Sequence, residues 1–76
     1  MTEEKIIELL LKDNENFRKM HQEHQECERA LSSLRAKPYL TEEERVQEKL
    51  LKKKKLRLKD EMYRMIQEFQ QRTGHE

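Results

Sequence analysis

The sequence predicts an all-α protein: an antiparallel two-helix hairpin, coiled-coil-like in its packing, that self-associates into a four-helix bundle. The composition is typical of long helices, since 43% of the 76 residues are charged and there is one Gly, one Pro and no Trp. Apolar residues recur at steps of three and four along two segments. The single proline lies between these segments, so one short break separates two amphipathic helices in a single domain, residues 1–76.

The first helix is predicted to span about 3–36. Thr2 can cap free backbone N–H groups, and the following glutamates favour the positive end of the helix dipole. The predicted core positions alternate in steps of four and three: Ile6, Leu10, Asp13, Phe17, Met20, His24, Cys27, Leu31 and Leu34. Seven of these nine are apolar when the cysteine counts as a small hydrophobe. The persistence of this pattern argues against a disordered tract.

A corner at 37–41 and a second helix over about 42–72 are predicted next. Pro38 lacks an N–H and disfavours helical angles in the residue before it. Thr41 and Glu44 form a T-x-x-E capping box, which satisfies the first free N–H groups of a new helix. The core stripe of this helix, which ends before Thr73 and Gly74, comprises Leu51, Lys55, Leu58, Met62, Met65 and Phe69, with Ile66 beside it.

The short corner makes the two helices antiparallel, so facing residues should have numbers that sum to roughly 78. The two stripes agree with this sum, which sets Cys27 opposite Leu51. It also sets His24 against Lys55, so we expect a neutral imidazole, a carboxylate such as Glu23 or Glu28 beside the ammonium, and a lysine that extends towards solvent. The rival fold is a continuous parallel two-stranded coiled coil that is only kinked at the proline.

Two motifs resemble a known family. The first helix contains F-x2-M-x3-H-x2-C-x3-L over 17–31, and the second contains KKLRLKDEM over 54–62. Together, from about residue 9 to residue 69, they resemble the YdcH-like family of small bacterial proteins of unknown function. That family favours leucine where this chain has Met20 and Cys27, and its corner is slightly shorter. The resemblance implies a helical hairpin or coiled coil in the bacterial cytoplasm, without an assigned activity.

Charge and composition exclude several classes of function. The formal net charge is +1, so no global field attracts nucleic acid or membrane. There is one cysteine, no signal-peptide pattern and no apolar run near the ~20 residues of a membrane span, which predicts a cytoplasmic protein without a span. Two helices build no concave pocket, and no acid, base and nucleophile converge. We therefore expect neither enzymatic activity nor a cofactor.

The segment HQEHQEC contains the candidate metal ligands. On a helix, His21, His24 and Glu28 lie roughly on one side and could meet one ion. A closed structural zinc site needs four ligands, however, and His75 lies beyond the predicted helix. We therefore expect no functional metal site, with His24 and Cys27 in the seam between the helices.

A run of basic residues marks the second helix, with no acid before Asp60. It comprises Lys49, Lys52, Lys53, Lys54, Lys55, Arg57 and Lys59. Such a run can contact phosphates, so a nucleic-acid-associated accessory protein is the alternative function. The lysines point around the whole helix, and no aromatic residue is interleaved to stack on a base. We favour neutralisation within the chain by Glu23, Glu26 and Glu28 over binding of nucleic acid or anionic lipid.

Four apolar residues lie outside the main stripes and are the predicted interaction residues: Ile7, Leu11, Leu56 and Tyr63. Scattered surface Leu and Tyr residues are common and need no special explanation. A single seam buries little area, however, and a second contact face would add burial at ~25 cal/mol per Å2. Pairing of two hairpins into a four-helix bundle is the predicted solution. The predicted function is a non-enzymatic, self-associating interaction or adaptor module with an unidentified protein partner.

Overall fold

The computed structural model describes residues 1–73, and these residues form three α-helices without a strand. The helices are α1 (Glu3–Asp13), α2 (Glu15–Arg35) and α3 (Glu42–Thr73). The predicted all-α class is confirmed, but the described part of the chain has three helices instead of two. Gly74, expected to end the last helix, and His75, set aside as a metal ligand, lie outside the described residues.

α2 and α3 form an antiparallel pair. Ion pairs join Arg35 to Glu48 near the connection, with 4.0 Å between Nε and Oε2, and Glu28 to Lys55 further along, with 3.9 Å between Oε1 and Nζ. The buried side chains of α2 beyond its first turn are Cys27, Leu31 and Leu34, and those of α3 are Leu58, Met62 and Ile66. The spacing of these residues by three and four positions places one apolar stripe of each helix in the core.

The predicted capping box starts α3. The Thr41 backbone N–H donates to Glu44 Oε1 at 2.9 Å, and the Glu44 N–H donates to Thr41 Oγ1 at 3.1 Å. Lys37 Nζ also pairs with the Glu44 carboxylate. The Lys37 ammonium, followed by the Thr41 N–H, holds the pKa of Glu44 below its ordinary value. The corner is therefore fixed by side chains on both sides of Pro38, while Tyr39 is 88% exposed at its tip.

The helix predicted over about 3–36 is broken at Asn14. This residue has extended backbone angles (φ −118°, ψ 110°), and its Oδ1 accepts the Phe17 N–H at 2.9 Å. Arg18 Nη1 donates to the carbonyl oxygens of Leu11 at 2.9 Å and Lys12 at 3.3 Å. Asn14 thus caps the start of α2 while Arg18 caps the end of α1. Residue spacing alone did not show this break, because the apolar pattern continues through it.

α1 turns back over the open end of the α2 and α3 pair. Ile6 and Leu10 pack with Phe17 of α2 and with Met62 and Ile66 of α3. In a straight helix, Ile6 would lie about 16 Å along the axis from Phe17, yet both belong to one cluster and are 0% and 1% exposed. The molecule is consequently 52 × 19 × 17 Å, with its long axis close to the ~48 Å expected for the 32 residues of α3.

The structure buries most of the predicted core positions of the first helix. Six of the nine positions on the first predicted helix are buried: Ile6, Leu10, Phe17, Cys27, Leu31 and Leu34. Asp13, assigned to the seam, is exposed because the chain bends beside it. Met20 and His24 are half-buried, as are Leu51 and Lys55 on α3. The core is therefore apolar throughout, with its polar seam residues at the margin.

Candidate interaction surface

An open groove of about 680 Å3 lies where the three helices meet. Its floor includes Phe17, Met62 and Ile66, and its sides include Ile7, Leu56 and Tyr63. We call it the Leu56 groove. Leu56 is 59% exposed and Tyr63 is 52% exposed, so both sides project apolar surface into solvent. The groove exists because α1 folds back: Ile7 would otherwise lie beyond the end of α2.

Three of the four predicted interaction residues therefore border one groove. Ile7 of α1 stands across from Leu56 and Tyr63 of α3. Leu11 is not among the residues that line the groove, although its half-buried side chain, like that of Ile7, packs against the hydrophobic cluster formed by Ile6 and its neighbours. Tyr63 is oriented in part by Gln67, whose Nε2 donates to the tyrosine hydroxyl at 3.1 Å.

The polar side of the groove carries both histidines of the HQEHQEC segment. His21 and His24 are half-buried and line the groove together with Glu28. Glu28 Oε1 lies 3.4 Å from His24 Nδ1 and 3.9 Å from Lys55 Nζ, as expected from the predicted register. His24 Nε2 is buried without a hydrogen-bond partner. The Glu28 carboxylate therefore lies near both the imidazole and the ammonium, and the Lys55 side chain is one-third exposed.

The metal candidates do not converge on one point. Within residues 1–73, no group of three or more His, Cys, Asp and Glu side chains is arranged to hold a metal ion. Cys27, which follows the two histidines in the sequence, is buried as a free thiol. It faces the apolar core, whereas His21 and His24 line the open groove.

The basic run of α3 is largely free of ion pairs. Among residues 1–73, Lys55 is the member of the run with a carboxylate within 4.0 Å, and that carboxylate belongs to Glu28. Glu23 and Glu26 form no ion pair with it in this part of the chain, so the expected neutralisation within the chain is limited to one contact. The exposed members are Lys49, Lys52, Lys53, Lys54, Arg57 and Lys59. By helical spacing, the exposed lysines on the side of Leu56 are Lys49, Lys52, Lys53 and Lys59.

Two further exposed apolar residues were not identified from the sequence. Val46 is 57% exposed and Leu50 is 61% exposed, four residues apart on α3. By helical spacing they lie on the flank of α3 away from Leu56 and Tyr63. The available signal was that both are apolar and lie outside the core stripe that begins at Leu51. Among residues 1–73, no helix is long and apolar enough to cross a membrane.

Comparison with known proteins gives one match. A family model described as a protein of unknown function (DUF465) matches residues 17–66, which include both sequence motifs, α2 from Phe17 onwards and most of α3. α1 lies outside the matched segment. No curated protein and no solved structure matched the chain. Because the match covers well over half of the 76 residues, the chain belongs to the DUF465 family of proteins of unknown function.

Proposed function

We propose that this protein is a non-enzymatic helical interaction module whose primary partner is a second copy of itself. The observation that supports this proposal is the Leu56 groove, in which Leu56 and Tyr63 are more than half exposed across from Ile7. Because the projecting side chains and the groove share one surface, a two-fold axis can place each copy's Leu56 and Tyr63 in the other's groove. α2 and α3 of the two copies then form a four-helix bundle.

The expected association is weak. Leu56 and Tyr63 already bury somewhat less than half of their surface, so completing their burial gains about 1–1.5 kcal/mol each. Four such side chains contribute about 5 kcal/mol to the dimer, which is near the lower bound for the cost of association. The net binding free energy of the dimer must therefore come from the remaining contacts around the groove. We therefore expect a dissociation constant in the micromolar range or weaker.

Sedimentation equilibrium over a wide concentration range tests self-association. We expect the apparent mass of the wild type to rise towards that of a dimer, and the variant L56S/Y63S to stay monomeric. The matched control is V46S/L50S, which removes two equally exposed apolar side chains from the opposite flank of α3. A monomeric wild type at every concentration, or equal loss of dimer in the control, contradicts the proposal.

Nucleic-acid binding by the basic run of α3 is the second candidate. It is favoured by the exposed lysines and arginine that lack ion pairs within the described chain. Each phosphate contact adds about 0.9 to the dependence of log K on log salt, so K52Q/K53Q/K54Q should reduce that slope by up to about 2.7. The control K5Q/K12Q/K19Q removes the same charge elsewhere. Binding of duplex DNA that shows little salt dependence, or that both triple variants weaken equally, contradicts this candidate.

The KKLRLKDEM motif supports the assignment of the chain to the YdcH-like proteins. The free, buried thiol of Cys27 supports a location in a reducing cytoplasm. An additional protein partner is part of the proposed adaptor role. Fractionation of cells that express the tagged full chain tests the location: recovery outside the cytoplasmic fraction contradicts it. Capture with the wild type and with L56S/Y63S then separates a partner that needs the groove from one that does not.

A further inference from the structure

The bend between α1 and α2 is held by two side chains. A continuous helix would pair the N–H groups of residues 15, 16 and 17 with the carbonyls of residues 11, 12 and 13. Instead, Asn14 Oδ1 accepts the Phe17 N–H, and Arg18 occupies the carbonyls of Leu11 and Lys12. On either side of these positions the helical bonds continue, from the Asn14 N–H to Leu10 O at 2.9 Å and from the Arg18 N–H to Asn14 O at 3.1 Å. Asn14 is therefore the one non-helical residue between α1 and α2.

The apolar register passes through the bend unchanged. Ile6 and Leu10 before it and Phe17 after it fall on one heptad phase, with the exposed Asp13 as the single polar position between them. If Asn14 took helical angles, residues 3–35 would form one helix of about 50 Å, comparable to α3. Ile6 and Leu10 would then leave the cluster, and the apolar site beneath them would be empty.

We propose that α1 exchanges between two copies of the chain by straightening at Asn14. The site formed by Phe17, Met62 and Ile66 then takes α1 of the second copy in place of its own. Ile6 and Leu10 are 0% and 6% exposed, so a straightened α1 that found no such site would return both apolar side chains to water. Exchange of an identical element across a short hinge is a low-cost route to a dimer.

The direction of α1 in its site suits this exchange. Its C-terminal end, at Leu10 and Asp13, shares a cleft with Phe69 near the end of α3, while Ile7 lines the Leu56 groove together with His21, further inside. α1 therefore runs outwards, towards the open end of the α2 and α3 pair. When two open ends face each other, a straightened α1 enters the partner along the same line and in the same direction. The contacts that α1 makes with Phe17, Met62 and Ile66 of its own chain are then made with the same residues of the second copy.

This exchange goes beyond the proposed self-association, because it uses neither Leu56 nor Tyr63. The experiment is therefore made in the L56S/Y63S background, where dimers through the Leu56 groove are removed. N14A deletes the cap and substitutes a strong helix former, which favours the straight form. We expect a cap effect of about fivefold per copy, and hence about a 25-fold increase in the dimer association constant by sedimentation equilibrium.

Two controls and one cross-link complete the experiment. N16A makes the same substitution at an exposed neighbour, and N14D retains the capping oxygen, so both should associate as the background does. A mixture of chains carrying L10C with chains carrying F69C should form a disulfide between chains, because these residues share one cleft. The proposal is overturned if the N14A protein stays monomeric, if N16A matches it, or if its dimer lacks this disulfide.

Discussion

Replacing Ile6 by Ala tests whether α1 is docked as described. Ile6 is 0% exposed, whereas its neighbour Ile7 is half-buried on the edge of the groove. The substitution removes three carbon atoms, worth about 2.5 kcal/mol in transfer free energy, and leaves a cavity, so we expect a loss of about 3 kcal/mol of unfolding free energy. I7A makes the identical change to helix propensity and is expected to cost about half as much. For 76 residues, 3 kcal/mol is a large part of the total stability.

Urea unfolding followed by circular dichroism measures this difference. For a chain of this size the dependence of unfolding free energy on urea is about 1 kcal/mol per M, so I6A should lower the midpoint by about 3 M and I7A by about half as much. The measurement is made at low protein concentration, where self-association is absent. Equal shifts for the two variants would refute the placement of Ile6 in the core. A shift of I6A below about 1 M would show that α1 detaches from the rest of the molecule.

Four further predictions concern single positions. T41A removes half of the capping box and should lower the unfolding free energy by about 1 kcal/mol in urea titrations. Because the pKa of Glu44 is depressed in the folded protein, its contribution is complete above its ordinary value of 4.5 and is lost as pH falls through the lowered pKa; E44Q should abolish this acid-side decline in thermal stability. H24L should raise the unfolding free energy by about 1 kcal/mol, since Nε2 is buried without a partner. C27S should lower it by about 1–3 kcal/mol, because a hydroxyl replaces a buried thiol.

The all-α fold and the α3 boundary could be predicted because each depends on local chemistry. Thr41 and Glu44 are three residues apart, and that spacing alone specifies the capping box. The antiparallel register, which the short corner fixes, predicted that Glu23 or Glu28 would lie beside His24 and Lys55, and Glu28 occupies that position. In both cases the interacting groups are near in sequence or related by a simple geometric rule.

The bend at Asn14 could not be predicted from periodicity, because the heptad phase is the same on both sides of it. Asn is a good capping residue, but Asn16 is equally close in sequence and lies within α2. What distinguishes the two is the tertiary gain from folding α1 onto Met62 and Ile66. The Leu56 groove depends on that bend, so its residues could be selected from the sequence while its shape could not.

The fold-back of α1 has a consequence for the order of folding. Ile6 and its α3 contacts Met62 and Ile66 are more than 50 positions apart in the sequence, whereas the α2 and α3 pair closes around a six-residue connection. Contacts that close short loops form at lower entropic cost, so the pair should assemble first and α1 should dock last. The amides of α1 should accordingly exchange with solvent faster than those in the middle of α2, and the opposite order would exclude this sequence of events.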